Sequence, residues 1–376
     1  RLQGDWSSDV CSSDLIAAGR EHSLALKGDG TVVAWGRKDY GRSLAPGALS
    51  GVVAMSTHHA HSLALKIDGT VVAWGLNSKG QSTVPAGLSD VVGIATGWEH
   101  SLALKGDGTV IGWGQNYDSQ STAPADLSGV VGIDAGGMHS LALKSDGTVV
   151  AWGQGIYLQT SVPVGLTGVV RIAAGGIHNL ALKGDGTVVA FGSINDGRST
   201  VPEGLSNVVA VAAGGAHSLA LKSDGTVVAW GQNIFGQSSV PPELTGVVAI
   251  AAGYEHSLAL KGDGTVVAWG RGNVRQNTVP TGLSGVVAIA AGFGHNLALV
   301  ADSAPPVAVP LALDPASGTS VLSWPSPADG YLLESSASLT TPEWNPVTNA
   351  PALSGGRFRV TLAPTDPTHF FRLRMP

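Results

Sequence analysis

Cysteine is almost missing from this chain: Cys11 is the only one among 376 residues. That excludes an internal disulfide framework and a metal site built from cysteines. Charge is also scarce, with Asp, Glu, Lys and Arg making up 13 % of the residues, about half the usual share. The formal net charge is −6 and no Lys/Arg run occurs, so the electrostatic footprint of a nucleic-acid binder is lacking. No apolar stretch approaches the ~18 residues of a membrane span. There is no Gly-x-Ser-x-Gly elbow, phosphate loop or zinc-protease motif, and hence no candidate catalytic residue, cofactor or resident metal. Glycine, by contrast, is abundant at 53 residues, and hydrophobic residues reach 43 %. No collagen-like triplet period accompanies the glycine, and this much apolar content argues against disorder. The balance is that of a glycine-rich, all-β protein.

Residues 1–15 stand apart. Asp5-Trp6-Ser7-Ser8-Asp9-Val10-Cys11-Ser12-Ser13-Asp14-Leu15 matches nothing else in the chain and back-translates to a common sequencing-adapter strand. It reads as an assembly scar, to be left out of fold reasoning. On that reading Cys11 is not native, and any signal peptide would have preceded this point.

The rest is dominated by a repeat. Histidines fall at 22, 61, 100, 139, 178, 217, 256 and 295, every interval being 39 residues. Each sits in a block like Gly-x-x-His-Ser/Asn-Leu-Ala-Leu. Seven blocks continue into Asp-Gly-Thr and then, six residues past the aspartate, an aromatic: Trp35, Trp74, Trp113, Trp152, Phe191, Trp230 and Trp269. The unit 208–246 offers four strand candidates, in Val208-Val-Ala-Val-Ala-Ala-Gly214, His217-Ser-Leu-Ala-Leu-Lys222, Thr226-Val-Val-Ala-Trp-Gly231 and around Ser238-Ser-Val-Pro241. β-Branched residues and two-residue alternation favour strands, and Ser223-Asp224-Gly225 suits a tight hairpin.

The first strand is apolar on both faces, with Val209/Val211 opposed to Val208/Ala210/Ala212, so such a sheet must be covered on both sides. Four strands per unit, stacked sheet on sheet about an axis, predict a β-propeller rather than a parallel β-helix. Residues 16–285 supply seven nearly complete units and 286–299 an unpaired half. The expectation is therefore a seven-bladed β-propeller over 16–299, with eight blades as the alternative. In the seven-bladed version the last half displaces the first.

These residues resemble the regulator-of-chromosome-condensation repeat family, in which Val-Val-Ala-Ile-Ala-Ala-Gly, His-Ser-Leu-Ala-Leu-Lys and Val-Val-Ala-Trp-Gly-x-Asn-x-x-Gly-Gln recur in register. The resemblance implies a seven-bladed propeller. The short, insertion-free units are similar to the bacterial branch that includes a propeller-type β-lactamase inhibitor, whose partner is gripped by aromatic loop residues. The nucleotide-exchange activity of the eukaryotic founder needs an inserted wedge and a basic tail, neither of which is visible.

Residues 300–318 have a Pro-rich linker pattern. Ser320-Val-Leu-Ser-Trp324, Tyr331-Leu-Leu-Glu334, Arg357-Phe-Arg-Val-Thr-Leu362 and Phe370-Phe-Arg-Leu373 predict a small β-sandwich over 319–376. It resembles fibronectin-like modules of secreted bacterial proteins, a role in spacing or attachment.

Eight histidines spread around a ring cannot converge on one substrate atom. His22, His61, His100, His139, His178, His217, His256 and His295 are therefore expected to be structural, each bonded to backbone between blades. His58, His59 and His61 cluster locally but lack Cys or acidic partners for a metal. Function is more legible where the units differ. The first-to-second and third-to-fourth turns emerge on one face and vary strongly, whereas the opposite face is monotonous. A rigid scaffold with varied loops at one end commonly presents a binding site. Its expected anchors are Trp98, Tyr117, Tyr157, Phe235, Tyr254, Phe293 and Tyr40, with Arg20, Arg37, Arg271 and Arg275 as polar rim. The reading is a non-enzymatic, secreted or cell-surface bacterial monomer that binds a protein through this face. A glycan-binding or structural surface module, and an inhibitor of a secreted enzyme, are the alternatives.

Overall fold

A computed structural model of the chain describes residues 16–47 and 49–300 in full, and residues 302–376 only through seven strands. The chain divides into two compact units, Arg1–Ala301 and Asp302–Pro376. The expectations for residues 1–15 and for most of the linker lie outside the described residues.

One repeat shows how the sequence builds the first unit. β16 (Val208–Ala213), β17 (His217–Lys222) and β18 (Val227–Gly231) form an antiparallel sheet in that order. Gly225, at φ 78°, makes the hairpin possible. Asp224 Oδ1 accepts both the N–H and the hydroxyl of Thr226, at 3.0 and 2.6 Å, closing the turn. The first strand differs from simple alternation. Val208 pairs with Lys222 but Ala210 with Leu221, so Val209 is a bulge residue. Val208 is consequently buried and Val209 exposed, a correction to the two-face assignment.

The expected fourth strand is also absent among the described residues. Residues 232–246 form turns instead, because side chains capture the donors that a ladder would need. Asn233 Oδ1 takes the N–H of Ser238, and Gln237 Oε1 takes that of Phe235, both at 2.9 Å. The segment still joins neighbours: Gln237 O accepts Ser257 Oγ and Trp269 Nε1 of the next unit, each at 2.9 Å.

The pattern recurs as seven three-stranded sheets, β1–β3 (Ile16–Gly36), β4–β6 (Val52–Gly75), β7–β9 (Val91–Gly114), β10–β12 (Val130–Gly153), β13–β15 (Val169–Gly192), β16–β18 and β19–β21 (Val247–Gly270). The residual half unit, β22 (Val286–Ala291) and β23 (Asn296–Val300), makes an eighth, two-stranded sheet of its own. It does not displace β1–β3. It sits between the seventh sheet and the first, donating Phe293 N–H to Gly19 O at 3.2 Å. The ring is closed, with seven complete blades and this partial one at the seam.

Core packing lies between consecutive sheets. Leu219, Leu221 and Val227 of one sheet meet Val247, Ala259 and Trp269 of the next. The large face of the second strand thus fits the small Ser-Ala face of its neighbour, which is why both alternate so strictly. In the second chain unit, the described strands pair into two antiparallel sheets. Ala312–Asp314, Ser320–Pro325, Arg357–Leu362 and Ala352–Ser354 form one, in that order; Asn345–Pro346, Leu332–Ser336 and Phe370–Arg374 form the other.

Candidate functional site at the channel mouth

The repeated histidines close the ring. Each Nε2 reaches the Ser or Asn after the next histidine: His22 to Ser62 (2.8 Å), His61 to Ser101 (2.9 Å), His100 to Ser140 (3.0 Å), His139 to Asn179 (2.6 Å), His178 to Ser218 (3.0 Å), His217 to Ser257 (2.9 Å), then His256 to Asn296. His295 completes the circle on Ser23 at 3.0 Å. The expected backbone partner between blades is a side chain instead. Among the buried rings are His61, His100, His139, His178 and His217. Burial pushes their pKa values down to about 3–4 and keeps the imidazoles neutral. A neutral ring already committed at Nε2 is a poor acid–base catalyst.

The first-to-second turns surround a central cavity of about 210 Å³, lined by residues of all eight units. One turn position, two residues before each histidine, holds in ring order Arg20, His59, Trp98, Gly137, Gly176, Gly215, Tyr254 and Phe293. Its five side chains are consecutive around the closed ring and touch one another. Tyr254 stacks on Phe293 with centroids 4.0 Å apart. The Arg20 guanidinium lies 5.0 Å from the Phe293 centroid. Its Nη1 donates to His59 Nε2 at 2.7 Å, and His59 stands 6.4 Å from Trp98. Burial and then the Arg20 charge lower the His59 pKa, so this ring is a neutral acceptor.

The other half of the mouth is bare backbone. A Cβ on Gly137, Gly176 or Gly215 would fall 2.6–2.7 Å from a carbonyl oxygen of the neighbouring turn. The rings of Trp98 and Tyr254 overlie Gly137 and Gly215, closing the crescent at its two ends. Inside the channel Asp134 occupies a position that is Ala or Ser elsewhere. Its Oδ1 and Oδ2 accept the N–H groups of Ala135 and Ala174 at 2.8 Å each. Burial raises its pKa to about 6 against those two bonds.

The third-strand loops share this face, since their first residues bond back to the first turns. Arg37 meets Glu21 at 2.8 Å, Gln115 meets Glu99 at 3.0 Å, and Arg271 pairs with Glu255. Arg271 also lies 4.8 Å over the ring of Phe235. Tyr117 is 75 % exposed, its hydroxyl 3.0 Å from Lys79 Nζ. Tyr40 faces Arg42 at 5.4 Å. Tyr157 and Arg275 stand exposed on separate loop tips, Arg275 at φ 65°. Of the expected anchors, the structure therefore joins Tyr254 to Phe293, and Phe235 to Arg271, and links Trp98 to the first pair through Arg20 and His59. Tyr40 and Arg37 share one loop, and neither they nor Tyr117, Tyr157 and Arg275 are joined to these groups. His59 and Asp134 were missed as site residues, although superposing the units at this one position exposes His59. Among the described residues no three His, Cys, Asp or Glu converge as metal ligands, and no helix is long and apolar enough to cross a membrane. The opposite face is uniform, with Lys–Asp pairs such as Lys66–Asp68 and Lys183–Asp185, each at 3.0 Å.

A ring of repeated antiparallel sheets closed around a channel, with loops gathered at its mouth, defines a β-propeller. The profile described as the regulator of chromosome condensation (RCC1) repeat matches residues 14–42, 59–81, 91–120, 130–159, 208–237 and 247–276. RCC1 repeats thus recur along the chain. Among solved structures it is similar to the ectodomain of the Physcomitrella patens receptor kinase CR4, at 22 % identity and TM-score 0.56, covering 72 % of this chain and 76 % of that one. It is similar to Prp20p of Saccharomyces cerevisiae at 21 % identity and TM-score 0.52, over 75 % and 81 % of the two chains. Human WBSCR16 aligns at 22 % identity and TM-score 0.52, over 66 % and 87 %. Prp20p is described with binding properties toward Gsp1p and histones, and another structure has Kap60 bound to it. These likenesses carry the fold. No curated protein sequence matches the chain.

Proposed function

We propose that this is a non-enzymatic scaffold that binds a protein through the channel-mouth face, as an exported bacterial protein acting at or beyond the cell surface. The observation that supports it most is the linked crescent of Tyr254, Phe293, Arg20, His59 and Trp98. Aromatic and Arg side chains rimming a concave floor are the chemistry of protein-interface anchors. A sugar-stacking platform fits less well, because Tyr254 and Phe293 stack on each other, Arg20 covers Phe293 further, and Trp98 leans on Gly137. Inhibition of a secreted enzyme would be one form of the same binding.

The test replaces Trp98, Tyr254 and Phe293 together by alanine and measures cross-linked partner capture from an extracellular extract. Capture should drop at least about ten-fold, the loss expected from one or two interface hot spots. A control carrying Lys66→Ala and Lys183→Ala on the opposite face should capture like the parent. Equal capture by the crescent variant would refute this face as the binding site.

A further inference from the structure

Three neighbouring units break the pattern of the channel wall. At the last two positions of the first strand and the residue after it, five of the eight units read Ala-Ala-Gly. β4 (Val52–Thr57), β7 (Val91–Thr96) and β10 (Val130–Ala135) end instead in Ser56-Thr57-His58, Ala95-Thr96-Gly97 and Asp134-Ala135-Gly136. Ser56, His58, Thr96 and Asp134 all line the central cavity of about 210 Å³. Ring closure does not require them. Alanine takes the place of Asp134 in six other units. Its carboxylate accepts two backbone N–H groups, and no Lys or Arg pairs with it among the described residues. At neutral pH it is ionised, since burial raises its pKa only to about 6. Ser56 Oγ and Thr96 Oγ1 meet at 2.9 Å. His58 stands where the seven other units have glycine, and its ring faces the lumen without a hydrogen bond among the described residues. The duty of that glycine, a bond to the carbonyl of the repeated histidine, passes to Thr57 Oγ1, 3.0 Å from His61 O. Enclosure in the ring, and then His59, push the His58 pKa down to about 4, which leaves a neutral acceptor.

We propose that this polar arc binds a primary ammonium group carried on a slim aliphatic stem. Asp134 is its counter-charge, and the Ser56 and Thr96 hydroxyls with His58 are its further acceptors. An ammonium is a compact cation with three donors, which suits one carboxylate flanked by hydroxyls. A guanidinium seeks both carboxylate oxygens for its fork, and each oxygen of Asp134 already takes a backbone N–H. A metal ion needs more ligands than this arc has: no three His, Cys, Asp or Glu converge among the described residues. The rest of the wall is Ala and Gly, an apolar lining for methylene groups. The cavity exceeds the ~150 Å³ that admits benzene to an apolar core. Entry is open on the same side, because Gly137 lies three residues beyond Asp134 in the bare half of the mouth. The aromatic rings at the mouth attract a passing cation, and Arg20, which would repel it, is committed to His59 and Phe293. The group could come from a free small amine or from a partner's lysine side chain. Only the second source rests on the protein-binding reading.

The test titrates n-butylamine into the full chain at neutral pH, followed by calorimetry. Binding should be saturable, one to one, and in roughly the millimolar range or tighter. n-Butanol, of like shape but uncharged, should bind at least about ten-fold more weakly, the loss of a charge-assisted hydrogen bond. Asp134→Ala should weaken butylamine binding by the same factor. This variant installs the residue of six other units, so its thermal midpoint should stay within a few degrees of the parent. Ser56→Ala with Thr96→Ala should weaken binding less. A second arm titrates the blocked tripeptide Gly-Lys-Gly. Peptide binding that Trp98→Ala with Tyr254→Ala and Phe293→Ala removes, while butylamine still binds, assigns the group to a partner's lysine. Butylamine binding without peptide binding assigns it to a free amine. No saturable butylamine binding, equal binding of butanol, or equal binding by the Asp134→Ala protein would overturn the inference. Protein capture through the crescent would survive that failure, because it is measured without any amine.

Discussion

Acidification from pH 7.5 to pH 5 should destabilise this propeller severely, through the histidine ring alone. In the unfolded chain a histidine titrates near 6.5, whereas the buried rings of His61, His100, His139, His178 and His217 titrate at about 3–4. Between those values the unfolded state binds the extra proton. Stability is thus complete above pH 6.5 and is lost as pH falls. Each site costs about 2 kcal/mol at pH 5 by proton linkage. Five sites acting independently sum to about 10 kcal/mol, comparable with the whole stability of ordinary domains. The physical cause is visible at the ring, since Nδ1 of each of these histidines is buried without a partner. A second proton there has nowhere to donate. Asp134, its pKa raised to about 6, opposes the effect weakly because it takes up its proton in the same range. The hairpin aspartates, held at about 2 by Thr and Lys partners, respond only further into acid. Thermal unfolding followed by circular dichroism should show the midpoint falling by about 20 °C or more. A midpoint unchanged within a few degrees, or imidazole NMR signals titrating near 6.5 in the folded protein, would refute the reasoning.

Two further outcomes probe packing. Leu219→Ala empties a fully buried site between the sixth and seventh sheets and should cost about 2–5 kcal/mol in denaturant unfolding. Trp113→Ala removes a buried ring and its bond to Gln81 O and should cost about 3–5 kcal/mol. The same change at half-exposed Trp35 should cost about 1 kcal/mol, in line with ordinary partly exposed positions. Equal losses at the two tryptophans would show that the seam is packed like the other interfaces.

The propeller was legible in the sequence because its interface is periodic. A 39-residue repeat places the same leucine against the same alanine seven or eight times, and side-chain size alone then requires sheets covered on both faces. What misled were features that break local rules. The bulge at Val209 inverts the parity of a strand that otherwise alternates. The fourth strand fails because Asn233 and Gln237 take over its backbone donors, a competition that strand propensity does not register. The seam could not be read at all, since the half unit 286–299 pairs equally well in sequence as a replacement for the first sheet or as a sheet of its own. At the site, aromatic loop residues were found by their chemistry, but the crescent was not. Its members lie 39 residues apart or at opposite ends of the repeat array, and only ring closure makes Phe293 a neighbour of Arg20.

That closure also explains how the mouth can vary while the ring does not. On either side of the variable position the turn is pinned: the preceding Gly donates its N–H to the carbonyl of the histidine at 2.8–3.0 Å, as at Gly97, Gly136 and Gly175. The histidine in turn holds the next unit. The variable residue itself is fixed through its backbone, whatever its side chain. Arg20, Trp98, Gly137 and Phe293 all donate their N–H to a carbonyl of the neighbouring turn, at 3.1–3.3 Å. Ring cohesion thus rests on groups that the side chains at this position do not supply. Replacing Trp98, Tyr254 and Phe293 by alanine should therefore remove binding while leaving the thermal midpoint within a few degrees of the parent. The reverse change is not permitted: at Gly176 a methyl group would meet the Gly215 carbonyl oxygen at 2.6 Å. The bare half of the mouth is thus held open by steric exclusion, and the crescent by contacts among its own side chains. A partner that reads this face meets a one-sided surface on a scaffold that is otherwise nearly symmetric.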